Sequence, residues 1–384
     1  MARLEFAEGA YVRLRVPLPA EDADSGRSVL TDIDVLSIDI DSRLRISRSS
    51  MECKSGKGQT GEPNTIVWLA GFRQLLDLDR VTLVRQTVSP RGQSLARKLG
   101  IVVMDEATVT RREKSHAWLP ERFAHLDGAA CSGAESRTDT QLKGLPEISP
   151  ALARFLRGGA LLADSPAILQ AVHSFGLAVG KQGVLPDPAA GVLAGHSLIA
   201  VILAAVQDAG RLDDVPERLL RSRLESALTV GDPDGSYVLP MLEKADAYIR
   251  HVQDRTHKAY VGAGADAIRI EYASLRDAVA TPPEYLSDYL DFVQRLRANP
   301  QVARDLLQVA EIVCFDALLG DSAWKAKAFA HLFTTEHKAL LLVGLRCLSS
   351  IAGPQVVSAL KGLSEIPFGT FSGMVPDRGQ PVEL

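Results

Sequence analysis

Two acidic residues and a lysine between positions 34 and 54 could together carry out metal-dependent chemistry. Glu52 and Lys54 lie two positions apart at the end of one alternating segment, and Asp34 lies in the segment before it, "DIDVLSID". Side chains two apart on a strand share one face, so Glu52 and Lys54 project together, and Asp34 can lie beside them in a hairpin. A pair of carboxylates is a hard-oxygen site that suits Mg²⁺ or Mn²⁺.

The chemistry of such a site is hydrolysis at phosphorus. A Mg²⁺ ion that is held by only two carboxylates keeps several waters, and one of these can attack while the ion polarises a phosphoryl oxygen. We expect Asp34 and Glu52 to be the ligands, with the backbone carbonyl of Cys53 as a further one. The Lys54 ammonium would orient the water or offset developing negative charge. The alternative interpretation is a solvated hairpin whose charges only pair across strands.

The segments around these residues predict a mixed α/β domain, from period-two alternation in the strands and helical spacing of apolar residues elsewhere. The predicted elements are strands at Tyr11–Leu18, Asp32–Asp39 and Ser42–Lys54, a helix from about Thr65, a strand at Arg80–Gln86, a helix from Pro90 to about Leu99, and a strand at Ile101–Met104. This order, β-β-β-α-β-α-β, favours an antiparallel meander extended by a parallel strand–helix–strand unit.

An Asp-bearing strand followed by a hairpin and Glu52-Cys53-Lys54 resembles the active-site motif of the PD-(D/E)xK nuclease superfamily, whose fold is called restriction-endonuclease-like. The form "DIDVLSID…MECK" is similar to that of the Mrr-like and resolvase-like branch, and the predicted element order matches the family core. One departure is Ile33, which stands where many members have a proline. The resemblance covers about residues 1–110. It implies cleavage of DNA with Mg²⁺ or Mn²⁺, with Asp34 and Glu52 as metal ligands and Lys54 at the attacking water.

Further residues are candidates for accessory roles. Many members of the family carry an acidic residue on a helix before the first strand; Glu5 or Glu8 would have to serve here, and a plain surface charge is the alternative for either. Lys57 lies in the Gly-rich loop "KSGKGQTG" and could contact a phosphate, or be only solvated. Arg73 and Gln74 lie off the apolar face of the predicted helix and could touch the metal-site lysine or a phosphate. Simple surface positions are the alternative for both.

A second Glu-x-Lys tripeptide, Glu336-His337-Lys338, provides an internal control for the motif. It opens a helical pattern, where positions i and i+2 diverge. We expect a charge at a helix N-terminus there, and no catalytic site.

The remainder of the chain predicts a separate helical domain. A chain of 384 residues is long enough for two or three domains. We expect a nuclease-like domain at 1–115, an all-α domain at 116–363 with a linker near 131–150, and an extended tail at 364–384. His196 lies in an apolar helix and is predicted to be a core histidine that has its hydrogen bonds satisfied.

The spacing of cysteines and the length of apolar runs indicate the cellular compartment in which the protein is expected. The four cysteines are scattered and form no CxxC pair, which argues against a zinc knuckle or a disulfide framework. The longest apolar run, Leu198–Val206, is shorter than the roughly 20 residues of a membrane span. We therefore expect a cytoplasmic protein whose apolar run is a buried helix, with no membrane partner.

Charge is divided unevenly along the chain. Residues 1–115 contain 18 Lys and Arg against 16 Asp and Glu, a net charge of +2, and the remainder has a net charge of −6. An acidic helical part would repel a phosphate backbone, so we expect it to govern assembly, either as a homodimer or with a partner protein. A dimer would also supply two sites for the two strands of DNA.

Together these patterns predict a metal-dependent DNA endonuclease in bacterial genome defence or DNA processing. The main alternative is a catalytically silent subunit of the same fold that binds DNA or serves as a scaffold for a partner. A helical adaptor with a vestigial α/β domain is a third interpretation.

Overall fold

The computed structural model describes residues 1–19, 29–54, 61–230, 238–268, 272, 274–275 and 281–369. The N-terminal part forms one mixed five-stranded sheet, and the chain after it is helical, so the α/β region followed by a helical region is confirmed. The strands are β1 (Tyr11–Pro19), β2 (Val29–Ile40), β3 (Ile46–Lys54), β4 (Arg80–Arg85) and β5 (Val102–Asp105). The helices of this region are α1 (Ala2–Ala7), α2 (Glu62–Leu75), α3 (Pro90–Lys98) and α4 (Glu106–Lys114).

The strands follow the order β1-β2-β3-β4-β5 across the sheet. β1, β2 and β3 pair antiparallel, and β3, β4 and β5 pair parallel. Antiparallel neighbours can be joined by a short turn, as β2 and β3 are, whereas each parallel pair needs a longer crossover, which α2 and α3 provide. The β2–β3 turn is held by Asp41, whose Oδ1 accepts backbone N–H bonds from Arg43 and Arg45.

Local signals explain where the crossover helices begin. The Ser89 hydroxyl accepts a hydrogen bond from the Gly92 N–H at 2.9 Å and caps α3, with Pro90 at its first position, as predicted. Helix α2 begins at Glu62, three residues before the predicted Thr65, because Pro63 also suits a first turn.

The helical region contains the following helices of four residues or more: α5 (Ala129–Leu142), α6 (Pro150–Arg157), α7 (Ser165–Gln182), α8 (Ala189–Arg211), α9 (Glu217–Val230), α10 (Val238–Gly262), α11 (Leu286–Ala298), α12 (Pro300–Ala303), α13 (Leu306–Ile312), α14 (Thr335–Ala352) and α15 (Pro354–Ser358). Short 3₁₀ segments lie at Gly159–Leu161, Ala323–Lys325, Lys327–Leu332 and Lys361–Glu365, and a π-helical turn lies at Val313–Ala317. Glu336 lies in the first turn of α14, which confirms that the second Glu-x-Lys tripeptide starts a helix.

Helix α8 contains the longest apolar run of the sequence and lies in the interior. Its length and composition would allow it to cross a membrane, but 89% of its most apolar window is buried against other parts of the chain. Leu198 and Ile202 pack towards Gly344 of α14, and Gly195 lies close to Phe315. The predicted buried helix is therefore present.

Helix α5 corrects the prediction of a linker over 131–150. Residues up to 142 are helical, and only residues 143–149 connect α5 to α6. The buried residues Cys131, Ala134 and Thr138 recur at helical spacing. These side chains are small and only weakly apolar, so the sequence showed no clear apolar periodicity of a helix.

The compact units divide the chain at other positions than the predicted boundary near 115. One unit comprises Met1–Gly210 with Phe292–Leu384, and the other is Arg211–Asp291. The sheet therefore belongs to the same unit as most of the helices. Of the predicted tail, residues 370–384 lie outside the described residues.

Candidate functional site

The predicted catalytic residues come together through the register of the β2–β3 hairpin. Val35 pairs with Met51 and Leu36 with Ser50, and one further step sets Asp34 opposite Glu52. Directly opposed residues of an antiparallel pair lie on the same face, and Lys54 shares that face because it lies two positions beyond Glu52.

One contact ties Asp34 to the backbone of β3, and another joins the side chains of Glu52 and Lys54. The backbone N–H of Cys53 donates to Oδ2 of Asp34 at 2.8 Å, and Lys54 Nζ is ion-paired with Oε1 of Glu52. This hydrogen bond to Glu52 is the main cause that raises the pKa of Lys54, against its partial burial. Lys54 therefore stays an ammonium at neutral pH. Burial raises the pKa of the Cys53 thiol, which keeps it protonated.

The donor set fits a hard divalent ion. Oδ1 of Asp34 and Oε2 of Glu52 have no protein partner among the described residues, whereas the other oxygen of each carboxylate is engaged. Glu52 is 8% exposed and Lys54 has half of its side chain in solvent. Glu52 and Lys54 thus lie at the end of their strand close to solvent, where a hydrated ion could enter.

The sequence interpretation missed two charged groups, one beside Lys54 and a second that contacts the first. Arg85 pairs with Lys54 in the parallel β3–β4 register and is 8% exposed. Glu62, at the start of α2, is buried, lies 3.7 Å from Arg85 and accepts a hydrogen bond from the Ser89 hydroxyl at 2.6 Å. A Cβ on Gly92 would overlap the Glu62 carboxylate, so that glycine leaves it room. The only signal in the sequence was a charged residue at the end of an apolar strand.

Glu8 is placed away from the predicted site. It follows α1 directly and binds Arg112 and His116 of the segment around α4. These contacts, with its hydrogen bond to Arg112 the largest effect, lower the pKa of Glu8. Glu5 is buried on α1 and is engaged by Ser37 and Arg112. Neither acid joins Asp34, which corrects the accessory role proposed for Glu8.

Arg73 and Gln74 are also placed away from Lys54. They lie near the C-terminal end of α2, roughly 16 Å along the helix from Glu62 at a rise of about 1.5 Å per residue. Arg73 donates to the backbone carbonyls of Leu78 and Gly100, so it supports the connections into β4 and β5. Gln74 is exposed. The suggested contact with the site lysine is therefore not formed by either side chain among the described residues, and Lys57 lies outside them.

A second group of ionisable side chains is buried where β1 meets the helices. The Arg13 guanidinium is ion-paired with Glu311 of α13 at 2.9 Å, and Tyr11 donates to the same carboxylate at 3.1 Å. Arg13 is 4% exposed and Glu311 is fully buried. Charges this deep are stable only when they are paired and hydrogen-bonded.

Two histidines and Glu135 of α5 extend this group, which we name the ionic cluster: Tyr11, Arg13, His125, Glu135, Arg157, His196 and Glu311. His125 Nδ1 lies 2.6 Å from Glu311, and His125 Nε2 lies 3.0 Å from Oε1 of Glu135. His196 Nε2 lies 2.7 Å from the same oxygen. Arg157 is ion-paired with the other oxygen of Glu135. His196 is thus a buried histidine with its hydrogen bonds satisfied, as predicted, although its partners are charged.

The two histidines are shifted in opposite directions. Burial would lower the pKa of His125, but the Glu311 and Glu135 carboxylates outweigh burial and raise it to about 10. Burial lowers the pKa of His196 to about 4, because its single carboxylate partner does not compensate. Despite its own burial, Glu311 has its pKa lowered to about 2 by Arg13 and His125. The cluster therefore holds a charged and a neutral imidazole side by side.

Ligand atoms of His125, Glu135 and His196 lie within 4.8 Å of one another, a spacing at which three ligands can share a metal ion. Sequence reasoning missed this group, because its residues are far apart in the chain and belong to no local motif. Comparison of the chain with protein-family models, curated proteins and solved structures finds no match.

Proposed function

We propose that this protein is a metal-dependent DNA endonuclease with a restriction-endonuclease-like N-terminal region. The observation that carries the proposal is the β2–β3 register: Val35 pairs with Met51, and Asp34 and Glu52 are the next residues beyond this pair, Glu52 on the face that it shares with Lys54. The strand order, with an antiparallel meander followed by parallel β4 and β5, is in keeping with that fold. The resemblance of the Asp34 and Glu52-Cys53-Lys54 segments to the superfamily supports the same reading.

The roles of the residues follow from their contacts. Asp34 and Glu52 would hold Mg²⁺ or Mn²⁺ through their two unengaged oxygens, with the Cys53 carbonyl as a further ligand. The ion, when bound, supplies Lewis-acid polarisation of a phosphoryl oxygen and an acidified water. Lys54 donates hydrogen bonds as an ammonium, so it orients the attacking water and offsets the charge that develops in the transition state. Its ion pair with Glu52 fixes it there in the resting protein.

A positive group near this end of the sheet suits a phosphate backbone. Helix α3 starts beside Glu62, and the Arg91 side chain in its first turn is exposed. Exposed arginine and lysine supply most of the sequence-independent affinity for DNA. We propose that Arg91 helps to guide the backbone towards Lys54.

The test is cleavage of supercoiled plasmid DNA by the purified chain with Mg²⁺ or Mn²⁺, with EDTA as the control. Glu52→Gln, purified in the same way, excludes a contaminating nuclease. Nicked or linear product that needs the ion and is lost in the variant supports the proposal. Binding of DNA without cleavage by the parent protein would replace it with the silent DNA-binding or scaffold subunit, the second candidate.

Assembly is a separate part of the proposal. We propose that the helical region mediates self-association or contact with a partner protein, because its part of the chain is acidic, with a net charge of −6 after residue 115. Light scattering of the full chain tests this, since a strictly monomeric species at the concentrations used for cleavage would contradict a homodimer.

A further inference from the structure

A cavity of about 300 Å³ opens above the ionic cluster, within the larger compact unit. This size is at the lower end of the range for small-molecule sites. Its wall consists of residues from β1, the segment before α5, and helices α5, α6 and α8. They are Arg13, Leu14, Arg15, Val16, Pro17, His125, Glu135, Asp139, Arg154, Arg157 and His196.

The carboxylates of this cavity are already engaged by the protein. Glu135 accepts from His125 and His196 through one oxygen and pairs with Arg157 through the other. Asp139 is likewise ion-paired with Arg157. The acidic groups of the wall therefore neutralise neighbouring cations and are poorly placed to attract a cationic ligand.

Two arginines of the cavity wall, Arg154 and Arg15, have guanidinium nitrogens available to a ligand. Arg154 donates through Nε to the Pro150 carbonyl at 3.2 Å, and its two terminal nitrogens have no partner among the described residues. Arg15 has 75% of its side chain exposed and uses one terminal nitrogen on Asp127 at 3.1 Å. A guanidinium presents a planar pair of donors that matches the oxygens of a phosphate or a carboxylate.

A metal ion is the other ligand that the cluster suggests, and the hydrogen bonds argue against it. Both ring nitrogens of His125 face carboxylates, Glu311 at 2.6 Å and Glu135 at 3.0 Å, so both carry protons. Nδ1 of His196 lies 3.3 Å from Arg13, which can only donate. The proton of neutral His196 therefore lies on Nε2, towards Glu135. A protonated nitrogen has no lone pair for a metal.

We propose that this cavity binds a small oxyanion, a phosphate or carboxylate group on a small molecule, through Arg154 and Arg15. Leu14, Val16 and Pro17 form an apolar wall on the β1 side, which can contact the uncharged part of such a molecule. The proposal does not rest on nuclease activity, because it concerns binding alone and a different set of residues.

The experiment is calorimetric titration of the full chain with inorganic phosphate, adenosine 5′-monophosphate and succinate, each at constant ionic strength. The three probes separate a bare phosphate, a phosphate that carries a nucleoside with an aromatic base, and a dicarboxylate. We expect saturable binding of at least one probe. Arg154→Ala should weaken it about tenfold or more, since a charge-assisted hydrogen bond is lost. Arg154→Lys should retain part of the affinity because it keeps the charge but not the planar donors.

Arg346→Ala is the matched control, because Arg346 is an exposed arginine on α14 outside the cavity wall. It should bind the probe as the parent protein does. Absence of binding by all three probes at millimolar concentration, or equal affinity of Arg154→Ala and the parent, overturns the proposal. A parallel titration with Zn²⁺ completes the design: zinc binding that Glu135→Gln abolishes, without oxyanion binding, would make the cavity a metal site instead.

Discussion

Asp34 and Cys53 are joined across the β2–β3 hairpin by a hydrogen bond of 2.8 Å from the Cys53 N–H to Oδ2 of Asp34. One oxygen of Asp34 therefore has a structural role and leaves the other oxygen for an ion. A substitution at position 34 can therefore remove the negative charge and still keep the hydrogen bond. Asp34→Asn keeps an acceptor for the Cys53 N–H but loses the negative charge, so it should fold normally and lose Mg²⁺-dependent cleavage by about 100-fold or more.

Plasmid cleavage and thermal unfolding of the same preparations measure the two effects. Asp34→Ala serves for comparison, because it removes the hydrogen bond as well and should lower the unfolding temperature. Full cleavage by Asp34→Asn would show that the carboxylate charge is not needed and would remove Asp34 from the site.

Lys54 is predicted to act on the chemical step. Lys54→Met keeps the length of the side chain without the charge, and we expect cleavage to fall by about 10²–10³-fold, as for the loss of one donor that stabilises the transition state. DNA affinity should change little, since Lys54 is one cation among several. Single-turnover cleavage and fluorescence anisotropy with labelled DNA separate the two quantities.

The matched control for Lys54 is the second Glu-x-Lys tripeptide. Glu336→Gln changes an exposed charge at the start of α14 and should leave cleavage unaltered. If Lys54→Met and Glu336→Gln both cleave like the parent, the activity belongs to another part of the chain.

Loss of the Glu311 charge is predicted to lower the stability of the protein strongly. Glu311→Gln would leave Arg13 and His125 buried with insufficient negative charge, and breaking a buried pair in this way costs about 3–5 kcal/mol. Urea unfolding followed by circular dichroism measures the change in the free energy of unfolding. Asp127→Asn is the control, because its ion pair with Arg15 is exposed on both sides and should be worth about 0–1 kcal/mol. Equal losses in the two variants would contradict the assignment.

His125 should make stability fall at alkaline pH. Its pKa is raised to about 10 in the folded protein, above about 6.5 in an unfolded chain. Its protonated form therefore contributes fully below about pH 6.5, and the contribution is lost as the pH rises towards 10. The groups that face it are Arg13 on β1, Cys131 and Glu135 on α5, His196 on α8, and Glu311 on α13.

His196 should make stability fall at acid pH. Its pKa is lowered to about 4, so the stability that it contributes as a neutral group is lost as the pH falls from about 6.5 to 4. The unfolding temperature should thus decline on both sides of about pH 6.5. His125→Gln should flatten only the alkaline decline, and an unchanged alkaline profile in that variant would show that His125 is not the responsible group.

Gly176 of α7 is predicted to tolerate no side chain. A Cβ at this position would lie 2.4 Å from the backbone carbonyl oxygen of Ala352, where α7 crosses α14, and backbone cannot move aside easily. Gly176→Ala should therefore destabilise by about 1–3 kcal/mol. Gly180 lies one turn later with open space around it, and Gly180→Ala should be neutral or stabilise by up to about 1 kcal/mol. Thermal unfolding compares the pair, and a stabilising Gly176→Ala would refute the close approach.

The local elements near the candidate site could be predicted from the sequence because their signals are local. Alternation located β1, β2 and β3, and Ser89 with Pro90 marked the start of α3, since a cap and its helix are adjacent in the chain. Helix α5 was missed for the converse reason. Its buried face consists of Cys131, Ala134 and Thr138, and such small side chains become core only when a neighbour packs on them.

The sequence by itself determined the period-two phase that puts Glu52 and Lys54 on one face, because side-chain alternation is a property of a single strand. It also determined the likeness of that segment to a known motif. Tertiary structure alone decided that Arg13, which alternation would place on an ordinary polar face, is buried against Glu311, 298 positions away. A contact between such distant residues depends on how the helices pack against β1, and no local sequence pattern predicts that packing.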